Sequence, residues 1–125
     1  MIELTMQGHG RPRATGTRPV FEIRQRHDTD GALRVTLIGE LDLAVADGLR
    51  ARLDQLRRSE RRVRLDLSEL EFIDCSGING ILGALAEARR QHWELEVDRL
   101  VSPGVRRITS LADVASALWP AAARR

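Results

Sequence analysis

The stretch Leu65-Asp-Leu-Ser-Glu-Leu-Glu-Phe-Ile-Asp-Cys-Ser-Gly-Ile78 decides the fold of this 125-residue chain. At its start leucines alternate with polar residues, which is typical of a strand with one buried face. The strand leads to Ser76, which has Asp74 two positions before it and Gly77 directly after it. Serine is a favoured residue at the start of a helix, so the pattern predicts a strand followed by a helix. A serine at this junction either caps the helix or accepts a phosphate, and the residues alone leave both readings open.

Before this stretch, the pattern predicts a hairpin and a helix. Two alternating apolar runs, at 20–23 and 33–37, flank the turn signal Asp30-Gly31 and predict two antiparallel strands. Asp42 then precedes an apolar stripe with helical spacing, and its carboxylate can accept a hydrogen bond from a free N–H at the helix start. The stripe consists of Val45, Leu49, Leu53 and Leu56.

After this stretch, the pattern predicts a helix from Gly77 to about Gln91, a strand at 93–97 and a helix opened by Ser102-Pro103. A last short helix or turn is expected at 114–119. A helix between two strands implies a right-handed parallel crossover. We therefore predict an α/β fold whose mixed sheet of four to five strands carries its helices mainly on one face.

Length and composition limit the classes of function. Hydrophobic residues make up 42% of the chain and charged residues 30%, which fits one soluble globular domain. No run of 18 apolar residues exists, and residues 1–19 lack the apolar core of a secretory signal, so no membrane span is expected. We predict a flexible leader at 1–19, one domain at 20–120 and a frayed tail at 121–125. The single cysteine, Cys75, suits a reducing cytoplasm.

The sequence offers no pattern for catalysis or for a bound cofactor or metal. A thiol near a helix start can be activated, but none of the three histidines has a spacing that suggests a base for Cys75 or Ser76. The same residues give no metal-ligand pattern, and no glycine-rich phosphate loop of the nucleotide-binding types is present. We expect no catalytic residue, no metal and no cofactor.

Gly77, Gly80 and Gly83 form a strip without bulk on one side of the predicted helix. Inside a helix each glycine lowers stability by roughly 1 kcal/mol relative to alanine, so we expect another advantage to offset this loss. Either another element of the same domain packs closely there, or a partner does.

Arginines surround the turn between the first predicted helix and the next strand. Nucleic-acid binding would predict such a cluster, but no aromatic stacking platform and no recognition-helix pattern accompanies it. A solvated helix end is the better interpretation, and we expect no direct contact with nucleic acid. The cluster consists of Arg57, Arg58, Arg61, Arg62 and Arg64.

Three motifs together resemble a known family. They are Gly39-Glu-Leu-Asp42, the stretch 65–78 and Ser102-Pro-Gly-Val-Arg-Arg107, and they occur in the family's order. Over about residues 20–120 the chain resembles STAS domains and, more narrowly, bacterial anti-sigma factor antagonists. The resemblance implies the STAS fold.

The resemblance also implies a mechanism of partner switching. An unphosphorylated antagonist binds an anti-sigma factor, which frees a sigma factor to direct transcription. The anti-sigma factor is also an ATP-dependent serine kinase that phosphorylates the antagonist and so ejects it, and a PP2C-like phosphatase resets the cycle. Ser76 matches the phosphoacceptor and Asp74 the aspartate of the same loop. Cys75 stands where the family often has another serine, and Ser110 stands where it usually has a glycine.

The surface around Ser76 is the expected docking patch for this partner. We expect Ser76 to be the substrate of another protein's active site rather than a catalyst, and we expect the protein to act in the cytoplasm. The alternative is a STAS module that is not phosphorylated and serves as a scaffold or ligand-binding module in another regulatory complex. The predicted docking patch comprises Asp42, Asp74, Cys75, Gly77, Ile78 and Asn79.

Overall fold

The computed structural model describes residues 4–7, 21–110 and 114–120, and a five-stranded sheet lies at their centre. The strands are β1 (Leu4–Gln7), β2 (Phe21–His27), β3 (Leu33–Leu41), β4 (Arg62–Ile73) and β5 (Glu94–Val97). The helices are α1 (Leu43–Arg57), α2 (Cys75–Arg90), α3 (Pro103–Thr109) and α4 (Val114–Leu118).

The sheet is mixed, as the sequence predicts. Its strands lie in the order β1-β2-β3-β4-β5, with antiparallel pairs from β1 to β3 and parallel pairs from β3 to β5. Each parallel pair is joined by one helix, α1 or α2, so both helices make the crossovers expected of βαβ units. Because β3, β4 and β5 are parallel, the loops that follow β3 and β4 lie at the same edge of the sheet. This edge is called the carboxyl edge below.

An aliphatic core lies between one face of the sheet and the helices. Alternate residues of the central strands are buried, among them Val35 and Leu37 of β3 and Leu65 of β4. The apolar stripe of α1 packs into the same core, which confirms the helix predicted from its spacing. The stripe is buried at Val45, Leu49, Leu53 and Leu56.

The opposite face of the central sheet carries a network of ion pairs. Arg34 of β3 and Arg64 of β4 are neighbours in the register, and both contact Asp28 in the turn after β2, at 3.1 and 2.7 Å. Arg34 also contacts Asp66 and Asp98 at 3.1 Å each. These side chains are only 13–29% exposed, so the ion pairs tie the turn, β3, β4 and the loop after β5 together with little screening by solvent.

The β3–β4 register is irregular at two points, and at each of them β4 has one extra residue. The register shifts between Thr36 and Ile38 and again between Gly39 and Glu40. Gly39 has a φ of 100°, a conformation that glycine adopts without steric cost. An extra residue bends the strand that contains it, and here that strand is β4, which leads to Asp74 and Ser76.

Strand β1 lies within residues 1–19, for which the sequence predicts a flexible leader. The structure differs from that prediction at Leu4–Gln7, which pair with β2 in an antiparallel register. The outer edge of β2 would otherwise leave backbone N–H and C=O groups unpaired, and the added strand satisfies them. The rest of the predicted leader and the predicted frayed tail at 121–125 lie outside the described residues.

Candidate functional site

Two helices begin side by side at the carboxyl edge. Strand β3 ends at Leu41 and β4 at Ile73, and these two residues are neighbours in the register. The backbone N–H of Asp74 donates to the Leu41 carbonyl at 3.3 Å, which joins the two loops. The loop before α1 and the loop before α2 therefore form one surface, and Ser76 lies on it.

Asp42 caps α1, as the sequence predicts. Its backbone is extended, with φ −130°, and its carboxylate accepts a hydrogen bond from the backbone N–H of Ala44 at 3.0 Å. The cap satisfies one of the free donors at the helix start.

Asp74, and not Ser76, caps α2. The carboxylate of Asp74 accepts a hydrogen bond from the backbone N–H of Gly77 at 2.9 Å, and its backbone is extended, with φ −106°. The helix begins at Cys75, two residues earlier than predicted, so Ser76 already lies within its first turn. The interpretation of Ser76 as the cap is therefore wrong, because a residue with helical dihedral angles cannot take that role.

The Ser76 hydroxyl does not stabilise the described structure through a hydrogen bond. The side chain is half-buried, and it makes no hydrogen bond with another described residue. Its neighbours Cys75 and Asn79 are exposed, while Asp42 and Asp74 are half-buried. A partner that approaches the carboxyl edge can therefore reach these five residues.

Gly77 and Ile78 lie beneath this surface. Ile78 is 4% exposed and belongs to the core. A Cβ atom on Gly77 would lie 2.5 Å from the Leu41 carbonyl oxygen and 2.8 Å from Cγ1 of Ile73. The sequence assigns both residues to the docking patch, but the structure buries them. They hold the start of α2 against the ends of β3 and β4, beneath the exposed residues of that patch.

The glycine strip of α2 packs within the domain. A Cβ atom on Gly80 would lie 3.5 Å from the Ala46 side chain, and one on Gly83 would lie 2.8 Å from the Arg50 guanidinium. Both neighbours belong to α1. Close packing within the domain therefore accounts for Gly77, whereas Gly80 has an ordinary contact and Gly83 meets only the flexible end of the Arg50 side chain.

The motif that begins at Ser102 holds α3 against β4. The Ser102 hydroxyl accepts from the backbone N–H of Val105 and donates to the Leu70 carbonyl, and Pro103 occupies the first helical turn, as predicted. A Cβ atom on Gly104 would lie 2.5 Å from the Glu71 carbonyl oxygen, so α3 and the end of β4 are in close contact.

Among the described residues, no histidine lies near Ser76 or Cys75. His27 ends β2 and contacts Glu60 at 3.1 Å. His92 follows α2, whose 16 residues separate it from Cys75 by roughly 24 Å. Within the described segments no group of three or more acidic, histidine or cysteine residues could hold a metal ion.

The arginine cluster is largely occupied by ion pairs. Arg57 and Arg58 contact Asp54 of α1 at 2.9 and 3.8 Å, and Arg62 contacts Asp30 at 3.2 Å. Arg64 belongs to the network on the sheet. Arg57 and Arg58 thus fit the interpretation as a solvated helix end, whereas Arg64 is mostly buried on the sheet. No helix of the described part of the chain is long and apolar enough to cross a membrane.

The sequence analysis did not identify two exposed apolar residues at the carboxyl edge. Leu43, the first residue of α1, is 72% exposed, and Phe72, next to last in β4, is 50% exposed. The alternation that begins at Val63 places Phe72 among the polar positions of β4, so an apolar residue there is the signal that sequence reasoning missed.

Comparisons with known proteins agree with this architecture. A family model described as "Mlab, STAS domain" matches residues 25–120. The chain is 34% identical over 94 residues to the anti-sigma F factor antagonist of Paenibacillus polymyxa, an alignment that covers 74% of this chain and 79% of the relative. It is also 34% identical over 97 residues to the putative anti-sigma factor antagonist BtrV of Bordetella bronchiseptica, with 77% and 82% covered.

A solved structure supports the fold. The Bacillus cell fate determinant SpoIIAA in its phosphorylated form superimposes with a TM-score of 0.56 at 20% identity, covering 74% of this chain and 85% of that one. The match of the family model over most of the chain, together with the identity to two curated relatives, is sufficient to assign the family. The chain belongs to the STAS domain family and, within it, to the anti-sigma factor antagonists.

Proposed function

We propose that this protein binds an anti-sigma factor and thereby releases a sigma factor, and that phosphorylation of Ser76 switches the binding off. The anti-sigma factor acts as the serine kinase and uses ATP, and a PP2C-like phosphatase returns the protein to its binding form. The protein itself is a cytoplasmic binding module and not an enzyme. The names of the two curated relatives support the role of antagonist.

One observation carries the assignment of Ser76. Its hydroxyl lies half-buried in the first turn of α2, at the carboxyl edge, while Asp74 provides the cap. A modification of the hydroxyl therefore leaves the hydrogen bond that starts the helix in place. SpoIIAA, which shares the fold, is known in a phosphorylated form, and this supports the same chemistry here.

A phosphate at this position acts on the partner more than on the fold. It adds about −1.5 to −2 charges near the positive end of the α2 dipole, a location that stabilises anions. The partner must place Ser76 next to the phosphates of its own nucleotide in order to phosphorylate it. After the transfer, two groups of negative charge face each other in the interface. If the new phosphate is desolvated there without a cationic partner, the cost is several kcal/mol, which is enough to reverse tight binding.

The test is phosphorylation by a purified anti-sigma factor kinase, followed by intact-protein mass spectrometry. We expect one phosphate on the unaltered chain, located at Ser76 by fragmentation, and none on Ser76→Ala. Ser59→Ala is the matched control, because Ser59 is exposed beyond the far end of α1, and it should accept one phosphate like the unaltered chain. Equal labelling of Ser76→Ala and the unaltered chain would contradict the proposal and favour the scaffold or ligand-binding alternative.

A further inference from the structure

Large hydrophobic side chains are exposed at three positions of the described residues. Leu43 is 72% exposed, Leu100 69% and Phe72 50%. Leu43 directly follows Asp42, and Phe72 lies two positions before Asp74, so both belong to the carboxyl edge that carries Ser76. Leu100 lies in the loop between β5 and α3, beside the middle of β4.

The fold does not require an apolar residue at either edge position. Leu43 is the first residue of a helix and Phe72 is on the exposed side of a strand end, and polar residues are common at both kinds of position. Large apolar side chains that are exposed beside a candidate site are typical of a surface that contacts another protein. Phenylalanine is among the residue types that are enriched in such contacts. The two side chains therefore point to a partner that covers them.

Carboxylates border both apolar side chains. Glu40 is exposed and is the register neighbour of Phe72 on the adjacent strand. Asp42 directly precedes Leu43, and Asp74 lies two positions after Phe72. A complementary surface has an apolar pocket with arginine or lysine at its border, since unpaired carboxylates pressed against an apolar or acidic surface would oppose binding.

We propose, building on the function assigned above, that Leu43 and Phe72 are the apolar anchors by which this chain binds the anti-sigma factor kinase. Each enters an apolar site that is bordered by basic side chains, and the Ser76 hydroxyl is presented at the same carboxyl edge. The two anchors then supply much of the binding energy, and Ser76 supplies the hydroxyl that accepts the phosphate.

The test uses steady-state kinetics of Ser76 phosphorylation by the purified kinase, with four variants. Leu43→Gln and Phe72→Gln should each raise the KM for this chain about tenfold, which corresponds to the loss of one strong contact, with kcat within about twofold. Leu100→Gln removes an equally exposed leucine away from the edge and should leave both constants unchanged. Phe72→Leu keeps an apolar side chain and should restore most of the affinity.

Circular dichroism and thermal melting separate a binding effect from a folding effect. All three glutamine variants should have the same melting temperature as the unaltered chain, because the replaced side chains are exposed. If Leu43→Gln and Phe72→Gln are phosphorylated at Ser76 with unchanged KM, or if Leu100→Gln raises KM as much as they do, the anchor assignment is wrong while the proposed function stands. If the unaltered chain is not phosphorylated at all, the proposed function fails and the anchor assignment with it.

Discussion

The carboxylate of Asp74 accepts a hydrogen bond from the backbone N–H of Gly77 at 2.9 Å, and this contact starts α2. It gives the capping role to the aspartate and leaves the neighbouring Ser76 hydroxyl free. An acceptor that is not needed for folding can gain and lose a phosphate while the domain stays folded. The division of work between these two side chains is the structural basis for the proposed switch.

The first prediction concerns the cap. Asp74→Ala should lower the free energy of unfolding by about 1 kcal/mol, within the usual range of about 0.5–2 kcal/mol for a lost N-cap, whereas Ser76→Ala should change it by less than about 0.5 kcal/mol. Asp74→Asn is the matched control, because its side-chain oxygen can still accept the hydrogen bond. Urea denaturation followed by circular dichroism measures all three. A larger loss of unfolding free energy for Ser76→Ala than for Asp74→Ala would show that Ser76 is the cap.

The second prediction concerns the contact between α2 and the strand ends. Gly77→Ala places a Cβ atom 2.5 Å from the Leu41 carbonyl oxygen, and the resulting shift should cost about 1–3 kcal/mol of stability. Gly80→Ala, in the same helix, meets only an ordinary contact at 3.5 Å and should be neutral or stabilising by up to about 1 kcal/mol. Thermal melting of the two variants provides the comparison. Equal stability of both would show that the helix start is looser than the structure describes.

The third prediction concerns acid stability. Burial alone would raise the pKa of Asp66, but hydrogen bonds from the Ser68 hydroxyl and backbone and from Arg34 outweigh it and lower that pKa below its ordinary value of 3.8. The pKa of Asp28 is also lowered, because hydrogen bonds and attraction from Arg34 and Arg64 outweigh its burial.

A carboxylate whose pKa is lower in the folded than in the unfolded state stabilises the fold above the unfolded pKa and loses this effect as the pH falls toward the folded pKa. We therefore expect the free energy of unfolding to be steady near neutral pH and to fall below about pH 4. Arg34→Gln should reduce stability at pH 7 and flatten the fall at acid pH. Urea denaturation between pH 3 and pH 7 measures both effects. An unchanged acid profile for Arg34→Gln would mean that the ion-pair network contributes nothing to folding.

Local patterns predict much of the fold and part of the site. The caps at Asp42 and Ser102 were predictable, since each is the single capping residue directly before an apolar helical pattern. At the start of α2 two capping residues, Asp74 and Ser76, lie two positions apart, and only the backbone dihedral angles distinguish them. The sequence pattern does not contain those angles.

Features that depend on distant pairing were harder to predict. Strand β1 has only four residues. Leu4 and Met6 alternate with Thr5 and Gln7, but this pattern is too short to predict a strand without the pairing with β2. Leu70 and Phe72 lie two positions apart, yet Leu70 is buried and Phe72 is exposed, because the register between β3 and β4 shifts between them. Such shifts arise where two strands meet, and one strand's sequence does not reveal them.

The most direct test of the central claim is isothermal titration calorimetry of one anti-sigma factor with this chain, unphosphorylated and then quantitatively phosphorylated at Ser76. Circular dichroism should give the same spectrum for both forms. We predict that the phosphate weakens binding by at least about 100-fold, which corresponds to about 3 kcal/mol. Equal affinity of the two forms would contradict the account, because the added charge would then not repel the anti-sigma factor.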